Sequence, residues 1–325
     1  MFAATLLSLA LITQDPPARP APPVAREIAP EVWLIPGGVT EDREPDGNTV
    51  VFGSGAGLVV FDTGRHPWHR EAIEARVTAD GRPLAAIVNS HWHLDHVTGN
   101  LALAERWPDV PVFASRAIEG AIEGFMRPSV ARGQAFLDSG QAPPALAEDV
   151  RGDIAVIARA EELIPDRALE ADGSLPAGDG RLRVRIAEDA ATEADVWLFD
   201  PTSGVAAVGD LITLPAPFLD TACPDGWLAA LDEVLAEPFR LVVPGHGPVM
   251  GRAEVERYRA ALGAFIDCAR GTAEAAVCAD DWATAVDELQ ETAFNRGQAA
   301  GFAAYYVGML RESGGSSAYC RAPAP

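Results

Sequence analysis

The chain has 325 residues, 48% of them hydrophobic and 22% charged, an ordinary globular composition that can build a sizeable core. Its formal net charge of −22 is spread along the chain, so it shows no basic patch of the kind that nucleic acid or an anionic membrane surface requires. All 25 basic residues are Arg, which excludes lysine bases and Schiff-base chemistry.

The N-terminus, Met1 to Ile12, is an apolar run too short to span a bilayer and of the length of a signal-peptide core. The stretch Pro16 to Pro23 reads as an extended linker. Residues 1–24 are therefore read as a signal peptide and linker, which predicts a periplasmic or secreted protein with no membrane attachment after export. The alternative is a short N-terminal element packed on a cytoplasmic protein.

Val32–Ile35, Thr49–Phe52 and Leu58–Phe61 read as strands separated by Gly, Pro and Asp turns. Residues Trp68 to Thr78 read as a helix, with Ala72, Ile73 and Val77 at helical spacing. His66 and His69, beside its start, read as surface residues. The apolar run Leu84 to Asn89 reads as a short buried strand. Directly after it, Ser90-His91-Trp92-His93-Leu94-Asp95-His96 places four metal-type ligands within six residues. Three of the six His of the chain stand here. A tight turn is expected to send His91 and His93 to one side and Asp95 and His96 to another. Asn100–Trp107 reads as a helix, Val110–Ala114 as a strand, and Ser115 as the cap of a helix running to Phe125.

Residues 126–180 carry five Pro between amphipathic pieces, and read either as a cover over a cleft or as a surface excursion. Arg181–Ile186, Val196–Phe199 and Val205–Val208 read as strands of a second sheet. Trp227–Leu235 reads as a helix, and Leu241–Val243 as a strand into the His246 loop. From Arg252 to about Glu312 the pattern is helical, and a Ser/Gly tail follows. Strands and helices thus alternate in two groups, which predicts an α/β (α+β) fold of two sheets between helical layers. The four Cys are expected to pair as Cys268–Cys278 and Cys223–Cys320 in an oxidising compartment, or to be small buried apolar groups in a reducing one.

The pattern His-x-His-x-Asp-His resembles the metallo-β-lactamase superfamily, and three other segments stand where that family places them. They are Val59-Val60-Phe61-Asp62-Thr63-Gly64, Val208-Gly209-Asp210 and Val242-Val243-Pro244-Gly245-His246-Gly247. The resemblance implies an αββα sandwich over residues 25–252, with 126–180 as an insertion covering the cleft and 253–325 as a C-terminal helical extension ending in a flexible tail. It implies metal ligation by His91, His93, Asp95, His96, Asp210 and His246, with Asp210 shared between two sites. Asp62 would hold a ligand His in place, or simply end a strand. One ligand of the family is missing: the register that should carry a further His falls on Ala191, with Asp189 and Glu193 nearby. The first metal site is thereby altered, and the second is complete.

The activity implied is that of a hydrolase holding one or two zinc ions, in which a metal-bound hydroxide attacks an ester, lactone, thioester or lactam of a small molecule. Asp95 would orient the nucleophile, while Trp92 and Phe218 are candidates for the cleft wall. A non-catalytic or weakly active metal-binding descendant and a β-lactamase are the alternatives. Asp210 favours the wider family of hydrolases over the antibiotic-degrading enzymes. The expected partner is a small-molecule substrate and no nucleic acid; the sequence leaves the substrate and the oligomeric state open.

Overall fold

The protein is described by a computed structural model covering residues 19–317 and Cys320. The apolar segment read as a signal peptide lies outside the described residues. The strands β1 (Arg26–Ala29), β2 (Val32–Ile35), β3 (Thr49–Ser54) and β4 (Gly57–Phe61) form an antiparallel run. After helix α1 (Pro67–Asp80), β5 (Leu84–Val88) returns parallel to β4. The short helix α2 (Leu94–Val97) and α3 (Gly99–Arg106) lead to β6 (Val112–Ala114), parallel to β5.

Helix α4 (Ala117–Ala121) passes through one π turn (Ile122–Met126) into α5 (Arg127–Asp138), which is followed by α6 (Pro144–Ile157). The two-residue strand β7 (Arg167–Ala168) closes the first sheet, in the order β1 to β7. The strands β8 (Gly173–Ser174), β9 (Arg183–Glu188), β10 (Ala194–Asp200) and β11 (Val205–Gly209) build the second sheet. Beyond α7 (Pro224–Ala236), β12 (Leu241–Pro244) joins that sheet parallel to β11. Three helices follow: α8 (Arg252–Arg270), α9 (Ala275–Val286) and α10 (Ala293–Glu312).

Strands buried on both faces read as continuous apolar runs, and alternate residues serve two cores. Val50, Phe52, Val59 and Phe61 point between the sheets and meet Val196, Leu198, Val205 and Ala207. Val51, Leu58 and Val60 point the other way, against Ile73, Val77 and Leu103. On the outer face of the second sheet, Trp197, Phe199 and Val208 pack under Trp227, Tyr258, Trp282 and Val307. The result is the expected sequence of helix, sheet, sheet and helix, and α8 to α10 share a core with the second sheet.

One expectation is corrected. Ser115 does not cap a helix: its hydroxyl donates to the Ala194 carbonyl at 2.8 Å and ties the two sheets together. The stretch 126–180 carries the helices α5 and α6. Cys320 is bonded to Cys223, as expected, and the Gly315 carbonyl accepts from Arg270. The other disulfide joins Cys268 to Cys278, as expected.

Candidate metal centre

Four loops meet at the carboxyl ends of parallel strands, where open α/β sheets place their ligands. β4 delivers Asp62, β5 the segment His91–His96, β11 Asp210 and β12 His246. Close backbone approach makes this junction. Gly209 has φ of +53°, and a Cβ there would collide with the Ser90 side chain. A Cβ on Gly245 would collide with Asp210.

Hydrogen bonds fix which nitrogen is left with a lone pair in His91, His93 and His96. Asp62 is fully buried, and its carboxylate accepts from the Ser90 N–H (2.7 Å), the Ser90 hydroxyl (2.7 Å) and His96 Nδ1 (2.8 Å). Having given its proton to Asp62, the Ser90 hydroxyl accepts from His91 Nδ1 at 2.9 Å. His91 Nε2 is then a buried lone pair with no hydrogen-bond partner, 3.8 Å from Asp210 Oδ2. Thr221 donates to the Ala191 carbonyl (3.1 Å), so it accepts from His93 Nε2 (3.1 Å). That leaves the lone pair of His93 on Nδ1.

Around His96 Nε2 stand Asp210 Oδ1 (3.2 Å), His246 Nε2 (3.3 Å) and Asp95 Oδ2 (3.6 Å). His246 Nε2 lies 2.9 Å from Asp95 Oδ2 and 3.6 Å from Asp210 Oδ1. Burial opposes charge on His96, yet Asp210, Asp95 and Asp62 together raise its pKa well above the ordinary range. Three carboxylates thus favour positive charge at one point. Burial, and then His93 and His96, hold His91 well below the ordinary range, and burial pushes His93 down to about 4. Both are neutral imidazoles at neutral pH. Imidazole and carboxylate donors, buried and with lone pairs turned inward, fit a zinc-type ion.

The structure gathers the predicted residues unevenly. His91, His96 and Asp210 form one group of ligand atoms within 4.8 Å of one another, and Asp95, His96 and His246 form a second. His96 therefore belongs with both sides of the turn, contrary to the expected split, and His93 stands in neither group. Ala191 is buried, and its carbonyl reaches His93 only through Thr221. Glu193 accepts from Trp92 Nε1 at 3.0 Å, and neither it nor Asp189 joins these groups.

His66 and His69 are not surface residues. His66 is wedged between Asp46 (2.7 Å) and Asp149 (3.2 Å), and His69 Nε2 meets the Thr49 hydroxyl at 2.8 Å.

A cavity of about 690 Å³ opens over the group. Its floor includes His93, Asp95, Asp210 and His246, and Trp92 and Phe218 stand in its wall. Four contributors were not singled out from sequence: Phe125, Arg65 and Asp153, which line the cavity, and Thr221, which touches His93. The spacing Val150–Asp153–Ile154–Ile157 on an amphipathic segment was the one signal that could have shown a helix face turned to the cleft.

A family model described as the metallo-beta-lactamase superfamily matches residues 42–246. Proteins named hydroxyacylglutathione hydrolase from Gloeobacter violaceus and Thermosynechococcus vestitus are 47% and 41% identical over 55 and 56 residues. Those matches cover 17% of this chain and 21% and 22% of the relatives, so the chain spans about a fifth of the length of the curated relatives it matches. The crystal structure of the DIM-1 metallo-beta-lactamase exposed to ceftazidime superposes with a TM-score of 0.53 at 16% identity, over 75% of this chain and 99% of that one. The metallo-beta-lactamase from Pontibacter korlensis gives 0.52 at 19% identity, over 74% and 98%. At such identities the likeness is one of fold.

Proposed function

The chain belongs to the metallo-β-lactamase superfamily, and from that premise we propose that it is a zinc-dependent hydrolase of a small ester, lactone, thioester or lactam. The observation that carries the reading is the convergence of Asp95, Asp210 and His246 on His96 Nε2, all within 3.6 Å. In this reading these four residues hold one ion at the second position, and His91 and His93, with Asp210 shared, serve a weaker first position.

Zinc held there supplies Lewis acidity and makes hydroxide available near neutral pH. The protein's own part is positioning. Asp62 keeps the His96 proton on Nδ1, and Ser90 does the same for His91. Asp95, on the cavity floor, accepts a hydrogen bond from the attacking water and orients it. Trp92 and Phe218 exclude bulk solvent from the reacting carbonyl.

We take residues 25–252 as the catalytic unit, with 126–180 covering the cleft and 253–325 as an extension that lends Phe302 and Tyr306 to the cavity wall. Two disulfides support an exported protein. The short matches to hydroxyacylglutathione hydrolases support hydrolysis. Ala191 favours the second reading, a weakly active metal-binding descendant, because an imidazole contact is gone at the first position.

The test is elemental analysis of the purified protein and of His246→Ala, together with turnover of simple esters, lactones and thioesters. Metal lost in the variant and turnover lost with it support the proposal. Unchanged metal content would remove the ligand assignment, and bound metal without turnover would leave the descendant reading.

A further inference from the structure

The cavity over the metal centre is walled by three elements that belong neither to the sheets nor to the ligand loops. The π turn and α5 give Phe125 and Val130, α6 gives Val150 and Ile154, and α10 gives Phe302. Val150, Ile154 and Ile157 lie one turn apart on α6 and all face the cavity. Gly133 of α5 lets the two helices close on each other, since a Cβ there would sit 3.2 Å from Val150. Phe302 remains 43% exposed at the mouth, so the apolar wall runs out to the surface.

The cations of the wall are already committed. Among the described residues lining the cavity, the guanidinium groups are those of Arg43 and Arg65. Arg43 donates to Asp149 at 2.6 Å and to Glu148 at 3.1 Å. Arg65 is bonded to Asp153 and to the Pro45 carbonyl (3.1 Å), and stands 3.9 Å from both Glu44 and Asp95. Glu44 and Asp153 face the same space. An anionic group lying along this wall, away from the metal ligands, would therefore be desolvated beside carboxylates with no free guanidinium to receive it, which is costly.

We propose that the cleft selects an uncharged substrate bearing a linear apolar acyl or alkyl chain, which lies between α6 and α10, and discriminates against anionic thioesters such as those of glutathione. This rests on the hydrolase reading for the reaction, but the preference for an apolar chain can be read by displacement, without turnover.

Two substrates bear on the charge. S-acetyl-N-acetylcysteamine and S-acetylglutathione share an acetyl thioester, and the second adds the two carboxylates, the ammonium and the longer skeleton of the tripeptide. The expected kcat/KM is at least about 100-fold higher for the neutral thioester, as two unpaired carboxylates imply. Along 4-nitrophenyl esters from acetate to octanoate, kcat/KM should rise about threefold per added methylene until the cavity is filled. Separately, n-alcohols of four to ten carbons should displace the neutral fluorophore N-phenyl-1-naphthylamine with the same dependence on chain length. Ile154→Arg, which adds an unpaired cation to the wall, should narrow the preference against S-acetylglutathione, whereas Ile154→Gln should not.

A preference for S-acetylglutathione, or displacement that ignores chain length, overturns the inference. If no ester or thioester is turned over while alcohols still displace the fluorophore by length, and n-alkanoates of the same length displace it far more weakly, the hydrolase reading fails and the selectivity stands.

Discussion

Asp62 ends β4 in the left-handed region, at φ of +61°, and spends both carboxylate oxygens on Ser90 and His96. It touches the centre only through other residues, yet it decides which nitrogen of His96 faces inward. Asp62→Asn keeps the shape but sets an amide N–H against donors. We expect metal affinity to fall about 10- to 100-fold in that variant, measured by competition with a chelator; unchanged affinity would reduce Asp62 to a strand-end residue. Ala191→His is expected to raise metal content towards two ions per chain, because the 191 backbone is linked through Thr221 to His93. Content that stays at the wild-type value would remove the family register at 191. The ligand loop was legible in the sequence because its residues are neighbours in the chain. His66 and His69 were not, because what buries them is remote: Asp149 arrives from α6, and Thr49 from β3.

At the scale of elements, α6 does two kinds of work. Val150, Ile154 and Ile157 face the cavity with their apolar groups, while Asp149 and Asp153, four residues apart, bind His66, Arg43 and Arg65, Asp153 from within the cavity wall. His66 also stacks on Trp68, with ring centroids 4.1 Å apart. Burial lowers the pKa of His66, but Asp149 and Asp46 overcome this and raise it to about 9. A pKa raised on folding gives stability that is complete below the unfolded value of about 6.5 and is lost as pH climbs through the folded one. The attachment of α6 should therefore weaken between about pH 7 and pH 10, and His66→Ala should cost about 2 kcal/mol at pH 6 and much less at pH 10. Hydrogen exchange of α6 amides at the two pH values checks this; equal protection in variant and wild type would show that His66 does not hold the helix. The strands β3, β4, β5, β10 and β11 were legible as apolar runs, since each is covered on both faces. The two-residue strands β7 and β8 and the edge strand β1 were not, because their residues are exposed or half-buried and carry no apolar pattern.

Over the whole molecule, the two disulfides act on very different lengths of chain. Cys268–Cys278 closes a separation of 10 residues between α8 and α9, whereas Cys223–Cys320 closes 97 and ties the end of the chain to the start of α7. Spacing alone made the first legible, while the second became so only by elimination, since nothing local in the sequence brings residue 320 to residue 223. Chain-entropy reasoning gives about 3 kcal/mol for the short loop and about 5 kcal/mol for the long one. The long one also bears on the centre. Cys223 lies two residues past Thr221, its N–H donates to the Ala190 carbonyl at 2.8 Å, and Thr221 touches His93. The double variant Cys223→Ser/Cys320→Ser should therefore lose more stability in urea at fixed pH than Cys268→Ser/Cys278→Ser, and should also loosen metal held through His93. Equal losses in the two variants would mean that the chain end is restrained by the packing of α10 on the core and owes little to the bond at Cys320.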